Sequence, residues 1–199
     1  MDDDPLSYID KIHLGNILND PHVWMVALIL IVLIFFSAMV SGSEIAFFSL
    51  TPSDKQKIRE DKSSRSEYVL RLINNSKELL AIILILNNLF NIGIVILSSY
   101  LFIIFYPEPE NGLDLVRSIV EVAGITFVIL LFGEVLPKVY ANKYGLNLSY
   151  KMSKPLLKLQ AMPPFSWLVK TLVNGTDFIT RMAIKKAVDI SSNDLETAL

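Results

Sequence analysis

Glu134 lies near the end of the apolar run SIVEVAGITFVILLFGEVL (118–136), followed by Pro137 and Lys138. A carboxylate at bilayer depth costs roughly 2.5–3.5 kcal/mol on insertion scales, so it calls for a partner, a proton or a cation. Pro137 has no N–H and cannot bond the carbonyl four residues back, that of Gly133. A carboxylate and an unsatisfied carbonyl side by side are what a hard cation takes as ligands. Two more polar clusters interrupt apolar runs. Ser41-Gly42-Ser43-Glu44 closes the first, with Gly42 permitting a bent or unwound backbone. Asn87-Asn88-Leu89-Phe90-Asn91 and Gly93 lie in the second. Asn87 and Asn91 are four residues apart and share a helix face, whereas Asn88 points about 100° away.

Hydroxyl, amide, carbonyl and one certain carboxylate form a hard-oxygen set, which favours Mg²⁺, Ca²⁺ or Na⁺ over softer metals. The chain has no cysteine, and its only histidines, His13 and His22, precede the first apolar run. That argues against a thiolate or imidazole metal centre. Each cluster also has a simpler reading. Asn residues act as glue between membrane helices, small residues as packing patches, and Glu134 could pair with Lys138 four residues on or serve as a proton relay.

The elements that must carry these residues are membrane helices. Of 199 residues, 52% are hydrophobic and the mean hydropathy is +0.48, more apolar than a water-soluble domain tolerates. The runs Val23–Val40, Leu79–Tyr106 and Ser118–Leu136 can each cross a core of about 30 Å. The expected fold is an all-α membrane protein with three transmembrane helices, at about 23–45, 79–106 and 118–140. An acidic start, MDDDPLSYID, lacks the basic region of a cleaved signal peptide, so the first run is expected to remain as a span. Segment 51–78 carries seven Lys or Arg and 138–199 carries nine, against one each in 1–22 and 107–117. The positive-inside rule then puts the N-terminus (1–22) outside and the C-terminus inside.

Thr51-Pro52-Ser53-Asp54 has the form of a helix start, so a juxtamembrane amphipathic helix is expected over about 52–73. A second juxtamembrane stretch is expected over about 150–188, broken at Pro163–Pro164 and too short in its apolar part to span. In this topology Asn87 lies about 12 Å and Asn91 about 18 Å along the second span, and Glu134 about 6 Å inside the end of the third. All three clusters therefore fall in the inner half of the membrane. No nucleic-acid signature and no nucleophile–base pair stands out, so an enzyme is not expected.

The motifs SGSEIAFFSL (41–50), NNLFNIG (87–93) and FGEVLPK (132–138) resemble the CNNM/CorC family of magnesium transporters. The likeness runs over about residues 20–190, and within the family it is closest to the bacterial branch that includes gliding-motility-associated proteins. It implies a homodimer in the inner membrane, with three spans and a cytoplasmic belt of short helices in each subunit, a domain of about 23–190. It implies Mg²⁺ export driven by Na⁺. The family's metal ligands fall on Ser43, Asn87, Asn91, Gly133 through its carbonyl, and Glu134, with Ser41 and Asn88 as neighbours. Gly42, Gly93 and Pro137 are expected to let the backbone bend during switching. Family members continue into cytoplasmic CBS domains that bind ATP, and 191–199 would begin the linker to them. Two other functions fit the same residues: a membrane scaffold for cytoplasmic domains or a motility complex, and a proton-coupled carrier using Glu134 as relay.

Overall fold

A computed structural model describes residues 17–105, 114–178 and 180, and every structural statement below concerns those residues. They form helices and no strands. Helix α1 is Pro21–Phe48, α2 Pro52–Glu60, α3 Ser64–Asn74, α4 Ser76–Phe105 and α5 Asp114–Val128. A π-helical segment, Ile129–Val135, then leads directly into α6, Leu136–Ala161. Residues 165–178 are helical again.

Three helices are long and apolar enough to cross a membrane: Pro21–Phe48 (28 residues), Ser76–Phe105 (30) and Ser118–Ala161 (44), the last kinked at Tyr144. At 1.5 Å per residue the first two are about 42 and 45 Å long, enough for a tilted span. Their apolar side chains point outward: Ile31, Phe35, Ile92 and Ile96 are all about 60% exposed. Large side chains left uncovered on all sides of a helix are what a hydrocarbon solvent accepts. The chain is thus a multi-pass α-helical membrane protein, with three spans where the sequence expects them.

The chain divides into two compact units. One takes in residues up to Leu50 together with Leu86–Ser149. Here α1 starts on Asp20, whose side chain accepts from the His22 N–H (2.9 Å), with Pro21 as first helical residue. The buried residues of α1 include a run of small and polar ones, Ser37, Ser41, Gly42 and Ser43, beside the apolar Val40, Ala46 and Phe47. Gly42 does not bend the helix, which runs unbroken through it. A Cβ there would lie 3.1 Å from Leu148 Cδ2 and 3.3 Å from the Pro137 carbonyl oxygen, so glycine serves close approach. Gly93 is similar, with Leu33 Cδ1 3.1 Å from its notional Cβ. Phe36 stacks on Phe90 at 5.8 Å, tying α1 to α4.

The other unit takes in Thr51–Ile85 and residues from Tyr150 onward. The sequence expects one helix over 52–73. The structure has two, because the chain turns out of α2 at Asp61 and restarts at Ser63. Asp61 accepts from the Ser63 N–H (3.0 Å) and hydroxyl (2.9 Å), and Ser63 caps α3. Such local side-chain bonds compete with helix and mark its breaks. Thr51 and Asp54 form a full capping box on α2. Ile58, Val69, Leu72, Leu79, Ile82, Leu156 and Val169 are buried. The Tyr150 hydroxyl donates to Asp61 (3.1 Å), Lys77 pairs with Asp177 (2.5 Å), and Gln160 donates to Glu78 (2.5 Å). The helix ends at Ala161, just before a cis Pro163–Pro164 bond, where the paired prolines put the break.

Candidate cation site

The polar residues of the first unit meet at one place. Ser37 on α1 is wholly buried. Its hydroxyl lies 2.9 Å from Asn91 Oδ1 and 3.4 Å from Asn87 Oδ1, both on one face of α4. Asn91 then donates through Nδ2 to Glu134 Oε1 at 3.3 Å. That bond fixes the amide, since an ionised carboxylate only accepts, so the Asn91 oxygen must face Ser37. A serine hydroxyl has one proton, so it can fully satisfy only one of the two amide oxygens that converge on it. Two amides, a hydroxyl and a carboxylate, carried on three elements, thus meet in one cluster whose hard oxygens suit a cation.

The backbone around Glu134 follows from Pro137. With no N–H at 137, an ordinary α register would leave the Gly133 carbonyl without its donor. Residues 129–135 adopt the wider π register instead, in which the Leu136 N–H bonds the Leu131 carbonyl five residues back. Short π segments of this sort concentrate at functional sites. Gly133 is buried against α1, and a Cβ there would lie 3.2 Å from Ser37 Oγ and 3.9 Å from Ser37 Cβ. Glycine is what lets the Gly133–Glu134 backbone come up to Ser37.

Of the residues singled out by sequence, Asn87, Asn91, Gly133 and Glu134 are brought together. Ser43 is not. Its buried hydroxyl donates to the Met39 carbonyl at 2.6 Å, and it lies six residues, about 9 Å, beyond Ser37 along α1. Ser37 occupies the place that the sequence reading gave to Ser43. It was legible in principle: Ser37 and Ser41 are four apart and share a face, and a serine inside an apolar run is itself a signal. Ser41 is wholly buried one turn from Ser37, and no protein group bonds its hydroxyl. Asn88 sits on an exposed face of α4. Pro137 stands at the junction of the π segment and α6, against Gly42. Lys138 pairs with Glu44 at 2.9 Å, not with Glu134. Among the described residues no three His, Cys, Asp or Glu side chains gather, so the cluster is one carboxylate among neutral oxygens.

Three apolar helices that pool hydroxyl, amide and carboxylate oxygens at a π-helical break define a polytopic membrane domain. The chain belongs to the family described as Cyclin M transmembrane N-terminal domain, whose model matches residues 28–199. It is 30% identical over 158 residues to the UPF0053 inner membrane protein YfjD of Escherichia coli, covering 79% of this chain and 35% of that protein. It is 28% identical over 173 residues to a UPF0053 protein of Haemophilus influenzae, covering 85% and 39%. Against the metal transporter cnnm-2 of Caenorhabditis elegans it is 30% identical over 130 residues, covering 62% and 15%. The chain thus spans little more than a third of the length of its bacterial relatives.

Proposed function

We propose that the cluster of Ser37, Asn87, Asn91, Gly133 and Glu134 takes Mg²⁺ as transported cargo, and that the chain is the membrane domain of a Na⁺-coupled Mg²⁺ exporter. The carrying observation is the convergence of Ser37 from α1, Asn87 and Asn91 from α4, and Glu134 from the third span. Cation binding would turn the Ser37 proton away and leave its lone pairs, with the two amide oxygens, facing the ion. Glu134 would supply the charge and the Gly133 carbonyl a further oxygen. Hard oxygens fit Mg²⁺, and a single carboxylate leaves it under-neutralised, which suits release better than storage. Membership of a family with a metal transporter among its relatives supports this reading, as does the inner-membrane description of the Escherichia coli relative. The same reading places the chain in the inner membrane as a homodimer, N-terminus out, with α2 and α3 in a cytoplasmic belt and with ATP-binding CBS domains following in the whole protein.

Reconstituted flux tests it. Mg²⁺ efflux from proteoliposomes should follow an imposed Na⁺ gradient and be abolished by Asn91→Ala. Mg²⁺ flux that ignores the Na⁺ gradient removes the coupling, and flux driven by a pH gradient favours a proton carrier. The hydrogen bonds from Ser37 to Asn87 and Asn91 also support a second reading, that of a membrane scaffold with helix glue. It predicts no flux and no metal response.

A further inference from the structure

We infer that Lys138 is a tethered counter-charge for Glu134, held away from it by Glu44 and exchanged against the transported cation. This rests on the cation reading above and goes beyond it to the unloaded state. A transporter of this kind must pass through a state in which the ion has left. Glu134 is then a carboxyl group within a membrane span with only the Asn91 amide as described partner, 3.3 Å away. Leaving a carboxylate so placed is costly.

A replacement charge stands within reach. Glu134 lies at the end of the π segment and Lys138 in the first turn of α6, about one helical turn on, so the two side chains leave the same side of the span, with Glu before Lys in the favourable order. In the structure, however, the Lys138 ammonium is 2.9 Å from Glu44 Oε2, with the two side chains 36% and 37% exposed. Glu44 is carried there by the pairing of α1 with the third span. Ser37 packs against Gly133 and Gly42 against Pro137, so Glu44 comes level with Lys138. Two carboxylates thus compete for one ammonium on a flexible four-carbon stem. With the cation bound, Lys138 rests on Glu44. When the cation leaves, Lys138 swings one turn back and neutralises Glu134. Lys138 and Glu44 are positioning residues, acting on the site through Glu134.

The exchange gives the two partners opposite and non-additive effects, whereas a pair that acts only through space gives opposite effects that add. The measurement is the Mg²⁺ concentration at half-maximal thermal stabilisation of the full chain in detergent. Lys138→Met removes the competitor and should lower that midpoint by roughly threefold or more, because the competent fraction of sites rises. Glu44→Gln frees Lys138 to occupy Glu134 and should raise it by a similar factor. The double variant decides. Glu44 acts only through Lys138, so Lys138→Met/Glu44→Gln should match Lys138→Met alone. A double variant that returns to the wild-type midpoint means two additive through-space charges and overturns the exchange. Unchanged midpoints in both single variants mean a merely structural pair and also overturn it. Lys138→Gln serves in place of Lys138→Met should the latter fail to fold. A wild-type protein with no Mg²⁺ response overturns the cation reading itself, whereas a wild-type response lost in Glu134→Gln but untouched at 44 and 138 overturns only the exchange.

Discussion

Replacing Ser37 by alanine separates a cation site from helix glue. The Ser37 hydroxyl is wholly buried and is the donor shared by Asn91 Oδ1 (2.9 Å) and Asn87 Oδ1 (3.4 Å). Ser37→Ala removes that donor and strands a part-buried amide oxygen, at a cost of about 1 kcal/mol, the low end for an unsatisfied group. The Cβ stays in place beside Gly133 and only the hydroxyl oxygen is lost. For a chain of this length 1 kcal/mol moves the melting temperature by about 2–4 °C, and the metal-free protein should therefore melt several degrees lower. Magnesium should change the comparison. The variant has lost one neutral ligand, which a retained water can replace, so its Mg²⁺ midpoint should rise by about tenfold, the equivalent of about 1.4 kcal/mol. The assay is thermal unfolding of purified protein across a Mg²⁺ titration. If Ser37→Ala melts lower but keeps the wild-type Mg²⁺ midpoint, the hydroxyl is glue and the ligand reasoning is refuted.

Gly133→Ala would place a carbon 3.2 Å from Ser37 Oγ; it should cost little stability, because one short side chain can give way, yet weaken the Mg²⁺ response by about tenfold or more, the scale of one lost neutral ligand. Thr51→Ala removes the capping box of α2 and should cost about 0.5–2 kcal/mol, read as lost helicity and a lower melting temperature without any change in Mg²⁺ midpoint. The Thr51 hydroxyl and N–H hold the Asp54 carboxyl below its ordinary value of 3.8, and Ser63 does the same for Asp61. Both groups favour the folded form above pH 3.8 and lose that contribution as pH falls through their lowered values. Hydrogen exchange in the 51–63 region should register this acid limit, and protection that is flat from pH 2.5 to 7 would contradict these assignments.

Much of this was legible because membrane helices declare themselves by length and composition. The three spans follow from apolar runs that need no tertiary knowledge, and the α2 start follows from Thr51-Pro52-Ser53-Asp54. Asn87, Asn91 and Glu134 stood out because polar groups are expensive in hydrocarbon. The π segment was only half legible. Pro137 announced that the Gly133 carbonyl would lose its α partner, but not that the helix would widen for a few residues to accommodate the loss. Ser37 was missed because serine is a mild polar residue inside a long apolar run, and nothing along the chain says that it faces two asparagines fifty residues away. Ser43 was preferred because it belongs to a conspicuous cluster, yet its hydroxyl bonds its own helix, as buried serines commonly do. The division of 52–73 into two helices hangs on Asp61 and Ser63, whose local bonds a periodicity reading passes over. By sequence Lys138 had one candidate partner, Glu134, and the register of α1 against the third span gave it Glu44 instead.

The central claim is that one cation sits among Ser37, Asn87, Asn91, Gly133 and Glu134. Its most direct measurement is anomalous diffraction from crystals of the chain grown with Mn²⁺, a divalent ion of the same hard-oxygen preference. The expected result is a single peak within about 2.0–2.3 Å of a Glu134 carboxylate oxygen and in ligand contact with Asn91 Oδ1, absent from Glu134→Gln crystals grown alongside. A well-ordered wild-type map with no peak in that cluster, or with the peak elsewhere in the spans, would contradict it.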